Sequence, residues 1–137
     1  KWLYLQLTEW MKPGALRQGP SVWDGDDWEL FFAPTRGGVY RQLCVGPDGR
    51  VFEQACKTEQ TAWTSGAVVV SERGEKDRWV VKLALPLEKL APGAAEGKVY
   101  ANFYRNSPGN SDMLAWQPTF GTGFHDTGRL AEVRLGK

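Results

Sequence analysis

Short runs in which apolar and polar residues alternate recur along the chain, with turn-forming residues between them. They predict strands over Trp2–Thr8, Trp28–Ala33, Val39–Val45, Arg50–Ala55, Ala67–Ser71, Arg78–Leu85, Lys98–Asn106 and Arg129–Leu135. Between them lie Arg36-Gly37-Gly38, Gly46-Pro47-Asp48-Gly49, Arg73-Gly74-Glu75-Lys76-Asp77 and Ser107-Pro108-Gly109-Asn110. Gly, Pro, Asn and Asp are the residues that let a chain reverse. Pro47-Asp48-Gly49 between two extended runs predicts a hairpin. One short helix is expected at Leu87–Leu90, after Pro86 and stopped by Ala91-Pro92-Gly93. There is no internal repeat, low-complexity tract or interdomain linker. The pattern is that of an all-β fold: an antiparallel β-sandwich, jelly-roll or immunoglobulin-like, with at most one short helix. Residues 1–137 read as a single domain.

The same alternation assigns faces. If Leu30 and Phe32 face the core, Glu29 and Phe31 lie on the opposite side of their strand. Leu43 and Val45 alternate with Tyr40, Gln42 and Cys44. Val99, Ala101 and Phe103 alternate with Tyr100, Asn102, Tyr104 and Asn106. One sheet face therefore collects a carboxylate, amides and phenols. Just before it runs Val22-Trp23-Asp24-Gly25-Asp26-Asp27-Trp28, an acidic turn carrying an indole. Such groups with aromatic rims suit a ligand rich in hydroxyls. The plainer alternative is an outer sheet face held by cross-strand hydrogen bonds, entered from a solvated turn.

Composition narrows the choice of ligand. A formal net charge of +1 without basic clusters argues against nucleic acid as partner. No apolar stretch is long enough to span a membrane, and no signal peptide is visible. The chain opens at Lys1 directly into Trp2-Leu3-Tyr4-Leu5, so it reads as a mature product, an excised domain or a truncated piece. Aromatic usage is unusual, with seven Trp, six Phe and four Tyr; a core uses some of these, but tryptophan also serves as a flat platform with one polar N–H. Cys44 and Cys56 are too few for a disulfide framework and lack metal spacing. One bridge in an oxidising compartment and two buried thiols are both open.

Catalytic constellations are largely missing. The single histidine, His125, has no nucleophile elbow, zinc-binding helix or phosphate loop beside it. A glycosidase would need a second carboxylate across a cleft from Glu29. Asp24, Asp26 and Asp27 sit on an exposed turn, where they are weak candidates for a structural calcium ion; their spacing is not that of an EF-hand. No cofactor is required.

The order of segments resembles the family 9 carbohydrate-binding modules and the wider DOMON-related sandwiches. The marks are Leu3-Tyr4-Leu5, Val22-Trp23 before Asp26-Asp27-Trp28-Glu29-Leu30-Phe31, and Tyr40-Arg41-Gln42-Leu43 with Gly46 after it. They continue with residues 79–86, Ala101-Asn102-Phe103-Tyr104-Arg105, Ala115-Trp116-Gln117-Pro118, Phe124-His125 and the run from Leu130 to Leu135. The resemblance implies a sandwich that clamps a sugar between two aromatic walls, Trp23 and Phe124, with Glu29 accepting hydroxyls. Gln42, Cys44, Asn102, Tyr104 and His125 complete the implied ligand-binding set. Tyr104 stands where an amide can occur, and Cys44 where a basic residue can touch the sugar. The family's opening segment, before the Leu-Tyr strand, is lacking, which implies an uncovered sheet edge or dependence on another chain segment or partner.

The implied function is non-catalytic binding of plant-type β-glucan or xylan oligosaccharides or chain ends. The setting would be a secreted bacterial polysaccharide-degrading enzyme, with a catalytic domain as partner. Two other readings stand beside it. Related sandwiches carry b-type haem, for which His125 with Met11 or Met113 would be the axial ligands. A structural or docking domain that has lost its ligand is the third.

Overall fold

The computed structural model describes residues 1–12, 14–56, 61–73, 77–95, 97–108, 113–121 and 123–136. Its strands are β1 (Trp2–Trp10), β2 (Asp27–Ala33), β3 (Tyr40–Val45), β4 (Val51–Cys56) and β5 (Thr61–Ala62). They continue as β6 (Val68–Glu72), β7 (Arg78–Pro86), β8 (Lys98–Asn106), β9 (Leu114–Ala115) and β10 (Ala131–Arg134), with a helix α1 (Leu87–Leu90) between β7 and β8. All are paired antiparallel, in two sheets. The smaller has the order β1-β7-β6; the larger runs β10-β8-β2-β3-β4-β5, with β9 also on β8. This is the antiparallel β-sandwich that the alternation predicts.

Leu30, Phe32, Leu43, Val45, Val99 and Ala101 from the larger sheet meet Trp79, Val81, Leu83 and Leu85 of β7 to form the core between the sheets. Each set occupies every second position of its strand, so one rung of slippage would turn the whole set to the wrong side. The β3–β4 hairpin turns at Gly46–Gly49, where Gly49 N–H donates to the Gly46 carbonyl at 3.0 Å. Gly49 has φ of 81°, a conformation in which a β-carbon is disfavoured, so glycine is what this turn requires.

Some local expectations change. β5 and β9 have two residues each, too few for any alternation to show. Two 3₁₀ turns, Val22–Asp24 and Thr127–Arg129, were not anticipated. The second delays the last strand to Ala131, because Asp126 accepts a hydrogen bond from Gly128 N–H and winds the chain first. Residues 74–76 and 109–110, within two of the expected turns, lie outside the described residues. Both cysteines are free and buried. Cys44 sits opposite Phe52, whereas Cys56 is four residues further along β4. That is about 13 Å of strand, beyond the reach of a disulfide.

Candidate functional site

The centre of the larger sheet, β2, β3 and β8, is largely buried on both faces. Away from the inter-sheet core, β2 presents Asp27, Glu29, Phe31 and Ala33, β3 presents Tyr40, Gln42 and Cys44, and β8 presents Asn102 and Tyr104. The expected parity is observed throughout. The segment after β9 lies over this face: Phe124 and Leu130 pack with Phe31, Tyr40, Cys56 and Tyr104 into a second apolar cluster.

One rung of the ladder, Phe52–Cys44–Glu29–Tyr104, organises the site. At one end Trp23, in the 3₁₀ turn and 38% exposed, meets Phe52 edge-on with ring centroids 5.0 Å apart. At the other end Phe124 stacks on Tyr104 at 4.0 Å. Three strand spacings separate the ends, about 14 Å between α-carbons. Glu29 lies between the two aromatic pairs. Gln54 Nε2 donates to Gln42 Oε1, and Gln42 Nε2 donates to Glu29 Oε2 at 2.9 Å, which holds the carboxylate in register.

The electrostatics of this floor are those of two carboxyls on one buried face. Burial pushes Glu29 up to about 7, helped by the charge of Asp27 and opposed by the Gln42 hydrogen bond. Burial likewise raises Asp27 to about 6, although Asn106 Nδ2 donates to its Oδ2 at 2.9 Å. The other Asp27 oxygen is buried with no hydrogen-bond partner among the described residues. Burial and the nearby Glu29 charge push the Cys44 thiol far up, so it remains an uncharged thiol.

The remaining expected site residues are held by their neighbours. Cys44, Asn102 and Tyr104 are fully buried. Asn102 donates to Tyr104 Oη and to the Gln117 carbonyl, both at 2.8 Å, while its Oδ1 accepts from Gln117 N–H at 2.9 Å. Tyr104 donates to the Phe124 carbonyl at 2.9 Å. These two side chains therefore fasten the covering segment to the sheet, and through it fix the Phe124 wall. His125 is exposed, with Nδ1 2.5 Å from Tyr40 Oη and its ring edge-on to Phe31. Desolvation lowers its pKa, which favours the neutral ring.

The aspartates of the turn go to separate partners. Asp24 accepts from Ser21 N–H and Oγ and caps its own turn. Asp26 accepts from Arg105 Nη2 at 2.7 Å and from Arg17 N–H. Burial raises Asp26, but hydrogen bonds from Arg17, Ser107 and Arg105 outweigh it and hold the carboxyl below its ordinary value. Among the described residues no group of three or more His, Cys, Asp or Glu side chains gathers as a metal site. Met11 packs against the inter-sheet core and Met113 is exposed, whereas His125 is engaged with Tyr40.

Three neighbours of the site were not among the candidates. Phe52 and Gln54 lie on β4 in the same period-2 register as Cys56, so alternation could have found both. Phe120 is 77% exposed at φ of 54°, under the Arg129 guanidinium; no sequence signal marks it.

No family model matches the chain, and no curated protein does. Among solved structures, it is similar to a candidate carbohydrate-binding protein from Bacteroides uniformis ATCC 8492. The TM-score is 0.71 at 15% identity, over 98% of this chain and 72% of that one. At that identity the likeness is one of fold.

Proposed function

We propose that this domain is a non-catalytic carbohydrate-binding module that takes a short stretch or an end of a neutral polysaccharide of the β-glucan or xylan type. The observation that carries the reading is the Phe52–Cys44–Glu29–Tyr104 rung, with an aromatic pair at each end and a carboxylate, steadied by two glutamines, between them. Aromatic rings supply flat apolar contact for pyranose faces. Glu29 accepts hydroxyl hydrogens when ionised, each such bond being worth about 1.5–3 kcal/mol. Gln54 and His125 are the further polar groups at the rim. Asn102 and Tyr104 act from beneath, by positioning Phe124. A polysaccharide ligand implies work outside the cell, beside a catalytic domain that degrades it.

Calorimetry with cello- and xylo-oligosaccharides tests the proposal. Removing the exposed wall in Trp23→Ala should cost about 2 kcal/mol of binding, roughly thirtyfold in Kd. No heat with any sugar, or an unchanged mutant, overturns it. The burial of Cys44, Asn102 and Tyr104 favours one rival, in which this face is only a second core and the domain has a structural role. In that case both proteins stay silent in the calorimeter.

A further inference from the structure

Exposed aromatic rings occur at several places on this surface, and most need no explanation. Tyr4 and Trp10 are exposed on β1, where the backbone is that of a regular strand and exposure carries no conformational cost. Phe120 is different. Its ring is 77% exposed, and with φ of 54° it is the only non-glycine residue of positive φ among the described residues. A left-handed backbone pushes the β-carbon against the following carbonyl oxygen, a cost that glycine escapes. Gly121 and Gly123 take positive φ beside it, at 86° and 83°. The chain thus bends with glycine at two positions and with a bulky ring at a third. Burial does not offset the cost, because the ring stays in water. Backbone strain of this kind gathers at ligand clamps, where the surroundings hold the residue in place.

The surroundings tie Phe120 to the candidate site. The Arg129 guanidinium lies over its ring, 5.0 Å from the centroid. Arg129 Nε donates to Asp126 Oδ2 at 3.2 Å, and Asp126 follows His125, which is joined to Tyr40. Four residues along the chain from Phe120, the Phe124 carbonyl is fastened to Tyr104. The two phenylalanines are therefore at most about 14 Å apart between α-carbons. Phe124 is only 9% exposed and stacks one face on Tyr104. Of these two rings, Phe120 is the one that stands open.

The ring and the guanidinium complement each other as a recognition pair. The face of Phe120 away from Arg129 is flat and apolar, which suits the C–H face of a pyranose. A guanidinium has five N–H donors, and the bond to Asp126 uses Nε–H. Donors beside an open ring suit the hydroxyls of the same sugar unit.

We propose that Phe120 is a further sugar platform, which receives a unit of the polysaccharide beyond those held between Trp23 and Phe124. This rests on the carbohydrate-binding reading above and sharpens it: the ligand is a stretch of chain longer than the rung, and the domain discriminates by chain length. The left-handed backbone keeps the ring raised before the ligand arrives, so little ordering is lost on binding.

The test is calorimetry with cello- and xylo-oligosaccharides of three and of six units, on the wild type, Phe120→Gly, Phe120→Ala and Phe120→Tyr. The six-unit ligand should bind about tenfold more weakly after Phe120→Gly or Phe120→Ala and equally well after Phe120→Tyr, which keeps the ring. Binding of the three-unit ligand should not change. In thermal melts Phe120→Gly should unfold roughly 4 °C above Phe120→Ala, because both lose the ring and only glycine takes this φ freely. Equal melting temperatures overturn the proposal, since the strain that singles out Phe120 would be absent. So does an equal loss for both ligand lengths, which would mean that the ring merely shapes the first wall. Six-unit binding that survives Phe120→Gly but weakens in Trp23→Ala overturns this platform and leaves the carbohydrate-binding reading standing. Silence with every sugar, wild type included, overturns both.

Discussion

At the centre of the larger sheet both faces are largely buried, yet they are built from different materials. The inner face is mostly apolar and meets another sheet across a register set by every second residue of β2, β3, β7 and β8. The outer face carries Glu29, Gln42, Asn102 and Tyr104 among its aromatics, and is covered by a segment that returns from β9. Apolar faces close without direction, since burying them needs only volume and area. A polar face closes only if each group finds a partner, so Asn102 and Tyr104 bond to the backbone that covers them. The Glu29 and Asp27 carboxyls are each held by one amide, from Gln42 and Asn106, and desolvation raises the pKa of both.

The sharpest way to break this comparison is to excavate both faces. Phe31→Ala on the outer face should cost about 4 kcal/mol and Leu43→Ala on the inner face about 3 kcal/mol in urea denaturation. Both side chains are fully buried. An outer face that is merely a loosely covered surface would show itself by a Phe31→Ala cost below about 1 kcal/mol. Next in size is Tyr104→Phe, which removes the hydroxyl that receives from Asn102 and donates to Phe124. A loss of about 1 kcal/mol is expected, with weaker sugar binding through a loosened Phe124 wall. Unchanged stability would mean the covering segment is held by packing alone.

The smallest effect at any one pH concerns Glu29. A carboxyl raised to about 7 binds more protons folded than unfolded between its ordinary value and 7. Its contribution to stability is thus complete in acid and is lost as pH rises through about 7, at a slope of up to about 1 kcal/mol per pH unit. Asp27, raised to about 6, adds to the same trend. Glu29→Gln should flatten this slope in thermal melts across pH 5–8, and a slope unchanged by the substitution would place the buried charge elsewhere. Sugar affinity should move the other way, rising with pH as Glu29 becomes an acceptor.

Strand order of burial was easily legible because it is local. Glu29 opposite Leu30, Gln42 opposite Leu43 and Asn102 opposite Phe103 needed only a period of two. The aromatic wall at Trp23 was legible as an indole in a turn before a strand. Its contact with Phe52 was not, because β4 pairs with β3 and only the completed ladder brings residue 52 onto the same rung as Glu29. The role of Arg105 was hidden for a similar reason. It is an inner-face residue that joins Glu9 of β1 to Asp26 of the turn, positions far apart in the chain.

By itself, then, the sequence determined the longer strands and the short helix, the sidedness of those strands and the residue types available for a polar ligand. These depend on backbone geometry and on the free energy of burying one face, both readable within a few residues. Only the tertiary structure decided which polar groups would hold the covering segment and which carboxyls would be left desolvated on one buried face. Those outcomes follow from which strands become neighbours, and strand neighbours are chosen by long-range pairing that no local pattern encodes.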